Sequence, residues 1–422
     1  MRIHLPTPSL VVLVAPSAAG KSTFARRHFA DTEIVSSDRC RALVSDDEND
    51  QTATSDAFEL VRLIARKRLD RRKLAVVDAT TLRAESRAPL LDLARRANLP
   101  AIVFALHVDE EELVRRAAAR VDRRVPEATV RKHAAQFQEA LPRLGAEGFA
   151  AVHVIGSAEL HTIRVVREPL PCMRTHEHGP FDIIGDVHGC RAELTRLLQQ
   201  LGYSGLPERA VPPPGRKAIF VGDLVDRGPD SRGVLHLVLE MADAGNALCV
   251  PGNHDAKLAR WIRGRSVHIA HGLEQTIEQL ESIGPDFLER VATFIDDLPS
   301  HLILDRGQLV VAHAGMRANL QARESKRVRS FALYGQTTGE LDEHGRPVRL
   351  DWARDYRGHR TVVYGHTPVH TPEWRRNTLN IDTGCVYGGA LTALRYPEME
   401  LVSVPSIRTY YHKPGFADAR PD

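Results

Sequence analysis

The sequence has few cysteines and no long apolar run, and both features bear on the cellular compartment in which the protein is expected. It contains five cysteines in 422 residues, and no two have the C-x-x-C spacing of redox or zinc motifs. No stretch reaches the roughly 18 consecutive apolar residues of a membrane-spanning helix, and no long apolar run follows the N-terminal charge as in a signal peptide. We therefore expect reduced thiols in a cytoplasmic protein that has no membrane partner.

The sequence also lacks a strong excess of charge. It has 57 Lys and Arg against 54 Asp and Glu, and a net charge of +3 is too small to indicate nucleic-acid binding by itself. Hydrophobic residues make up 43% and charged residues 26%, which are ordinary globular values and exclude global disorder. The length is comfortable for two domains.

The first 168 residues alternate short apolar runs with long helical patterns. The apolar runs cover residues 9–15, 33–36, 74–78, 101–107 and 151–155, and the helical patterns include residues 56–73 and 110–124. Alternation of this kind favours an α/β fold with an open parallel sheet and helices on both faces.

This pattern stops at a segment rich in Pro, His and Gly. We interpret this segment, residues 169–180, as a linker between a domain over 1–168 and a second domain over 181–405, followed by a tail over 406–422. Strands are predicted again at 181–185, 218–222, 247–250, 309–313, 361–365 and 391–395. The stretch near 320–350 lacks apolar periodicity and is predicted to be a surface insertion.

Residues 15–22 have the spacing of a phosphate-binding P-loop, with Ala15 in place of the first glycine. The loop follows a strand and opens a helix, where backbone N–H groups can surround the phosphates of ATP. Lys21 is predicted to reach the β- and γ-phosphates and Ser22 to bind Mg²⁺. The predicted nucleotide-binding residues are Ser17, Gly20, Lys21, Ser22 and Thr23. The alternative is an ordinary strand–turn–helix.

Carboxylates follow the next two strands of this domain. Asp38 can face the γ-phosphate and accept a proton from an acceptor hydroxyl, and Arg41 can hold an acceptor phosphate. The alternative for Asp38 is a helix N-cap. Asp78 ends a buried strand, where a role near Mg²⁺ and a capping role are equally compatible with the sequence.

A row of arginines lies on the helix predicted over residues 110–124. Arg116, Arg120 and Arg123 or Arg124 are spaced to share one helical face. On a helix that closes over the P-loop, they can neutralise charge on a transferred phosphoryl group. The alternative is a solvated basic face.

The second domain carries five polar clusters, each directly after a predicted strand. They are Gly185-Asp-Val-His-Gly189, Gly222-Asp-Leu-Val-Asp-Arg-Gly228, Gly252-Asn-His-Asp255, His313-Ala-Gly315 and Gly365-His-Thr-Pro368. Carboxylate, imidazole and amide oxygen suit two divalent metals, with Mn²⁺ favoured over Ni²⁺, Fe²⁺ and Zn²⁺. The clusters converge on one edge of a sheet.

These strings resemble those of the calcineurin-like metallophosphoesterases, over residues 181 to about 400. The resemblance implies an α/β sandwich in which His254 is the general acid oriented by Asp226, and Arg227 grips the phosphate. Asp382 matches a position that lines this site in related enzymes, with structural support as the alternative. The implied metal ligands are Asp186, His188, Asp223, Asn253, His313 and His366, with Asp223 shared by both metals.

The first domain resembles the 5′-OH kinase module of bacterial polynucleotide kinase-phosphatase, in its P-loop, the segment 36–51 and the arginine helix. This resemblance implies a bifunctional enzyme that phosphorylates 5′-OH ends with ATP and removes 3′ or 2′,3′ phosphates, in RNA repair. The Lys-x-Asp-Gly motif of the family's ligase module is absent, so we expect healing without sealing, with a separate ligase or RNA-modifying partner.

Two other functions are compatible with the motifs. One is a small-molecule P-loop kinase joined to a dinucleoside polyphosphate hydrolase. The other is a protein Ser/Thr phosphatase controlled by a nucleotide-binding module. The phosphatase strings by themselves do not choose between these substrates.

Overall fold

The computed structural model describes residues 2–120, 125–341, 347–413 and 416. These residues form two compact units, one of Met1–Leu170 with Arg323–Ser325 and one of Pro171–Ala322 with Lys326–Asp422. In the part of the chain described, no helix is both long and apolar enough to cross a membrane.

The N-terminal unit is a three-layer α/β fold. Its strands are β1 (Arg2–Thr7), β2 (Leu10–Val14), β3 (Ile34–Ser36), β4 (Ala75–Asp78), β5 (Ala101–His107), β6 (Ala151–Gly156) and β7 (Arg164–Pro169). Its helices are α1 (Lys21–His28), α2 (Ser37–Ser45), α3 (Thr54–Asp70), α4 (Ala84–Ala97), α5 (Glu110–Ala118) and α6 (Glu127–Ala140). The main sheet is parallel, as predicted, and its strand order is β3-β4-β2-β5-β6, while β1 pairs with β7.

The central strand β2 is apolar because both of its faces are covered. All five of its residues are buried. Val11 and Leu13 share a core cluster with Ile102 and Phe104 of the neighbouring strand β5. The carboxyl ends of β2, β3 and β4 lie along one edge of the sheet, and this edge carries the P-loop, Asp38 and Asp78.

The C-terminal unit is a sandwich of two five-stranded sheets, in agreement with the predicted class. Its strands are β8 (Phe181–Ile184), β9 (Lys217–Phe220), β10 (Ala247–Cys249), β11 (Leu302–Leu304), β12 (Leu309–Val311), β13 (Gln336–Leu341), β14 (Pro347–Leu350), β15 (Thr361–Tyr364), β16 (Glu373–Arg375), β17 (Thr378–Asn380), β18 (Ala390–Tyr396) and β19 (Glu400–Pro405). Its helices are α7 (Arg191–Gln200), α8 (Ser231–Asp243), α9 (Asn253–Ile262), α10 (Leu273–Leu280), α11 (Pro285–Asp297) and α12 (Lys326–Tyr334).

The two sheets have the strand orders β10-β9-β8-β18-β19 and β11-β12-β15-β17-β16. Their facing sides share one apolar core, to which Ile183 and Ile219 contribute from the first sheet and Leu304 and Val363 from the second. Ile184 points the other way, into a core formed with the helices, because neighbouring strand residues face opposite sides.

The boundary between the two units falls near the start of the segment predicted to be a linker, between Leu170 and Pro171. Strand β7 ends at Pro169, within the N-terminal unit, and residues from Pro171 onward belong to the C-terminal unit. There Met173 forms a β-bridge with Ile303, and Glu177 pairs with Lys217 at 2.8 Å.

The prediction of a surface insertion at 320–350 is wrong for its first half. Val328 and Ala332 of α12 are fully buried and pack in a core cluster with Trp352. Their spacing of four places them on one helix face, but the helix has only nine residues and its first turn is mostly basic, so the apolar stripe is short. The hairpin strand β13 is largely exposed, as predicted for the second half.

The helix predicted over residues 110–124 is also too long. Helix α5 ends at Ala118. Residues 121–124, which include Arg123 and Arg124, lie outside the described residues.

Candidate active sites

The five polar clusters of the C-terminal unit converge at the ends of its strands. Nε2 of His188 and Nε2 of His313 each lie 3.5 Å from Oδ2 of Asp223. Asp223, His313 and His366 form one group whose ligand atoms lie within 4.8 Å of one another, and His188, Asp223 and His254 form another. Asp223 therefore lies where two metal sites would share a ligand.

The hydrogen bonds at the histidines leave ligand nitrogens facing the site. Nδ1 of His188 bonds the carbonyl of Val225 at 2.8 Å, and Nδ1 of His313 bonds the carbonyl of Val221 at 3.1 Å. A carbonyl accepts only, so Nδ1 carries the proton in each ring and Nε2 keeps its lone pair. Nε2 of His313 lies 3.1 Å from Oδ1 of Asn253.

Among the described residues of this site, three buried side-chain atoms have no hydrogen-bond partner, namely Oδ1 of Asp186, Nε of Arg227 and Nε2 of His366. The other Asp186 oxygen accepts from the His366 N–H at 3.0 Å. Burial, with the nearby charges of Asp382 and Asp223, raises the pKa of Asp186 well above its usual range. Burial likewise raises the pKa of Asp223 to about 7 and of Asp382 to about 6.

Carboxylates placed this close in a buried site ionise together only when cations compensate them. The shared position of Asp223, the Nε2 lone pairs directed into the site and the unpartnered Asp186 oxygen therefore fit divalent metals. The ligand types present are those that such metals use in phosphoesterases.

Backbone geometry brings these side chains together at some conformational cost. Left-handed backbone, unusual for residues other than glycine, occurs at His188, Asp223, Asp226, Arg227 and His366. At Gly252 the chain passes so close to the next loop that a Cβ would lie 2.1 Å from Oδ1 of Asp223. A larger residue at 252 would displace the shared ligand.

His254 is held by two charged neighbours. Its Nδ1 lies 2.6 Å from Oδ2 of Asp226, and its Nε2 lies 2.7 Å from a guanidinium nitrogen of Arg227. The other terminal nitrogen of Arg227 lies 2.8 Å from Nε2 of His188. Asp226, His254 and Arg227 thus form a continuous series of hydrogen bonds. Because His254 also lies close to His188 and Asp223, a role as a metal ligand remains open for it.

Two residues near the site were missed by the motif reading. Asp255 accepts from the N–H groups of Leu224 and Gly252, at 2.9 and 2.8 Å, and so joins two of the loops that carry ligands. Arg349 of strand β14 donates to Oγ1 of Thr367 at 2.8 Å, one residue after His366. The final Asp of the string at 252–255 was the available signal for Asp255, whereas no sequence signal marked Arg349.

The N-terminal unit has a cavity of about 470 Å³ at the carboxyl end of its sheet. It is lined by most of the predicted kinase residues, namely Ser17, Gly20, Lys21, Ser22, Thr23, Asp38, Arg116 and Arg120, and also by Asp78. Nζ of Lys21 donates to the carbonyls of Ala15 and Pro16, each at 3.0 Å. The P-loop, both carboxylates and two arginines thus face one space large enough for a nucleotide.

The two carboxylates of this cavity differ in surroundings. Burial raises the pKa of Asp78, while a hydrogen bond from Ser22 and the charge of Lys21 oppose this rise. Asp38 lies on α2 and accepts from Arg41 at 2.7 Å. The buried Arg41 guanidinium also donates to the carbonyl of Glu48, and Arg41 is not among the lining residues of the cavity.

The arginine row is only partly described. Arg116 pairs with Glu112, one turn earlier on α5, at 2.8 Å and is about one-third exposed. Arg120 follows the end of the helix and lines the cavity with Arg116. A further polar contact of the loop joins Ser17 Oγ to Nδ1 of His133 at 2.8 Å.

The family model for calcineurin-like phosphoesterases matches residues 179–402, and an AAA domain model matches residues 10–141. The chain belongs to the calcineurin-like phosphoesterase family, with a P-loop unit before the phosphoesterase unit. Calcineurin-like phosphoesterases use divalent metals, in keeping with the donor groups described above.

Curated relatives match the phosphoesterase part of the chain. The bis(5′-nucleosyl)-tetraphosphatase PrpE [asymmetrical] of Anoxybacillus flavithermus is 49% identical over 234 residues, which are 54% of this chain and 96% of the relative. The protein of the same name from Geobacillus thermodenitrificans is 50% identical over 233 residues, 54% of this chain and 94% of the relative.

Proposed function

We propose that the C-terminal unit is a metal-dependent hydrolase of nucleoside polyphosphates, with bis(5′-nucleosyl) tetraphosphates as its first candidate substrates. The observation that carries this proposal is the convergence of the buried Asp, Asn and His side chains around Asp223. The naming of relatives at about half identity as tetraphosphatases supports the substrate class.

In this proposal Arg227 holds a phosphate that lies over the metal-binding side chains. Two bound divalent cations would polarise the phosphoryl group and supply an activated water. Nε2 of His254 accepts from Arg227 at 2.7 Å, and a phosphate bound by Arg227 would take over that donor. Nε2 would then take a proton from water and pass it to the departing oxygen, while Asp226 holds the ring and stabilises the charged imidazole. Asp226 is itself held by Oγ1 of Thr276 at 2.7 Å, so the ring orientation is set before substrate binds.

We propose that the N-terminal unit transfers a phosphoryl group from ATP with Mg²⁺ to a hydroxyl acceptor. Lys21 and the loop N–H groups would hold the donor phosphates, and Ser22 with Asp78 would hold Mg²⁺. Asp38 would accept the proton of the acceptor hydroxyl, because it lines the same cavity. Arg116 and Arg120 would offset charge on the transferred group.

A second candidate for the whole chain is nucleic-acid end healing. The observation that favours it is the placement of Asp38 and two arginines around the P-loop cavity, the arrangement implied by the resemblance to bacterial polynucleotide kinase-phosphatase. The acceptor would then be a 5′-OH strand, and the phosphatase unit would remove 3′ or 2′,3′ phosphates, RNA being the expected polymer.

One set of assays separates the two candidates. Purified protein with Mn²⁺ is given diadenosine tetraphosphate, and in parallel a 3′-phosphorylated oligonucleotide. A 5′-OH oligonucleotide is given with ATP labelled at the γ-phosphate. Tetraphosphate hydrolysis without oligonucleotide labelling supports the first candidate, and labelling with 3′-phosphate release supports end healing. Failure on all three substrates would contradict both.

A further inference from the structure

The chain beyond strand β19 folds back onto the loop that follows Asp382. The N–H of Ser406 donates to the carbonyl of Gly389 at 2.9 Å. The N–H groups of Tyr410 and Tyr411 both donate to the carbonyl of Val386 at 3.0 Å. These bonds fix the path of the segment, described here over residues 406–413 and 416, beside the phosphoesterase site.

A buried carboxylate and an aromatic ring hold the two ends of this segment. Oε1 of Glu193, which is fully buried, accepts from the N–H of Ile407 and from the hydroxyl of Tyr410, each at 2.9 Å. Phe416 is 8% exposed, and its ring stacks on His370 with centroids 4.6 Å apart. The segment that the sequence suggested to be a tail is thus packed through specific contacts.

The segment brings charge and an aromatic face to the phosphate-holding arginine. The Arg227 guanidinium carbon lies 5.5 Å from the ring centroid of Tyr387 and 5.8 Å from that of Tyr411. Nζ of Lys413 lies 5.2 Å from the Tyr387 centroid. Arg227 and Lys413, which lie more than 180 positions apart in the sequence, therefore both contact the ring of Tyr387.

The charge of the same lysine, Lys413, also acts on Asp382, a buried carboxyl near the metal-binding side chains. Burial raises the pKa of this carboxyl to about 6, and the positive charges of Lys413, Arg227 and Arg349 oppose the rise. The charges of three cations from separate parts of the chain thus act on one carboxyl. A phosphomonoester offers one phosphate to these cations, whereas a polyphosphate offers several.

We propose that residues 406–413, together with Phe416, form a wall of the phosphoesterase site and that Lys413 binds a second phosphate of the substrate, next to the one held by Arg227. The ligand class is a linear polyphosphate chain, which an ammonium recognises as a compact point charge. This inference rests on the proposed action on nucleoside polyphosphates.

The test compares two inhibitors of p-nitrophenyl phosphate hydrolysis, at a fixed free concentration of the activating metal. We expect Lys413→Gln to weaken inhibition by inorganic tripolyphosphate about tenfold more than inhibition by orthophosphate. Lys413→Arg keeps the charge and is expected to restore most of the tripolyphosphate affinity. Lys326→Gln is the matched control, since Lys326 is exposed at the start of α12 and its loss is expected to change neither inhibitor.

Equal effects on the two inhibitors, or none on either, would overturn the role of Lys413. Tripolyphosphate binding can be measured whether or not diadenosine tetraphosphate is a substrate. A chain that fails to cleave the tetraphosphate but loses tripolyphosphate affinity in Lys413→Gln would therefore contradict the proposed substrate and retain the subsite. The reverse result would contradict the subsite alone.

Discussion

Nδ1 of His254 lies 2.6 Å from Oδ2 of Asp226, and this contact separates His254 from the histidines whose Nδ1 atoms bond backbone carbonyls. A carboxylate partner favours a protonated imidazole, whereas burial and the charge of Arg227 lower the pKa of His254 well below its usual range. The contact orients the ring for proton transfer, and the same orientation is compatible with metal binding through Nε2, so the two roles are separated by the variants below.

The first prediction separates the roles of His254 and Asp223. His254→Ala removes the proposed proton donor, so hydrolysis of alkyl phosphates is expected to fall by roughly 10²-fold or more. An aryl ester such as p-nitrophenyl phosphate, whose leaving group has a pKa of about 7, needs little protonation and should suffer less. Metal content, measured by elemental analysis, should stay near wild type.

Asp223→Asn is the contrasting variant. It weakens the ligand that both metal sites would share, so both metals and nearly all activity should be lost on either ester. If His254→Ala also lost metal and both esters suffered equally, His254 would be a ligand.

The second prediction concerns the P-loop cavity. Lys21→Ala and Asp38→Ala are expected to abolish phosphoryl transfer from ATP and to leave phosphoesterase activity intact, because the two sites belong to separate units. Lys67→Ala serves as the control on the exposed side of α3. Loss of both activities in a folded variant would contradict two independent sites.

The third prediction concerns the arginines of the same cavity. Arg116→Ala and Arg120→Ala should each lower kcat for phosphoryl transfer by roughly 10²-fold if they offset transition-state charge. A rise in KM at unchanged kcat would instead place them on the acceptor. Wild-type kinetics in both variants would instead indicate that these arginines form a solvated basic face, the alternative that the sequence allowed.

The fourth prediction concerns Arg349, which only the structure brought to attention. Arg349→Ala should lower kcat/KM for the phosphoesterase about 10–10²-fold, because one of the cations near Asp382 is lost. Metal content should be unchanged, since Arg349 binds no metal. Arg376→Ala, an exposed arginine beyond strand β16, is the control. Metal loss in Arg349→Ala would indicate a structural role.

The fifth prediction uses a buried histidine outside the site. Nε2 of His301 accepts from the N–H of Ala322 at 3.2 Å, and burial lowers the pKa of His301 to about 3. The unfolded chain therefore binds one more proton here between a pH of about 3 and about 6.5. This contribution to the free energy of unfolding is complete above that window and falls as the pH drops through it.

His301→Gln keeps an acceptor but does not titrate in this window. Its loss of stability between pH 7 and pH 5 should be smaller than that of the wild type, by up to about 1.4 kcal/mol per pH unit. Urea unfolding followed by tryptophan fluorescence measures this, since Trp261, Trp352 and Trp374 all lie in the C-terminal unit. An unchanged pH dependence would refute the assignment.

Much of the fold was predictable because its signals are local. The apolar run at β2, the P-loop after it and the strings around Asp186 and Asp223 each lie within a few residues of one strand end. Parallel strands bring such ends to one edge, so the motifs predict both the α/β class and the donor set. The exposed and buried faces of α12 were not predictable in this way, because a helix of nine residues with three basic residues among its first four gives a weak periodic pattern.

By itself the sequence determined which residue types follow each strand, and hence that a P-loop unit precedes a calcineurin-like phosphoesterase unit. The tertiary structure alone decided that Asp255 joins two ligand loops, that Arg349 reaches Thr367, and that Lys413 shares a ring with Arg227. Apart from the bond between Asp255 and Gly252, three positions apart, the bonds span 31 positions from Asp255 to Leu224 and 18 from Arg349 to Thr367, and Lys413 lies nearly 190 positions after Arg227. Their partners are set by the packing of the whole unit, because no local pattern records which distant side chain will face a site.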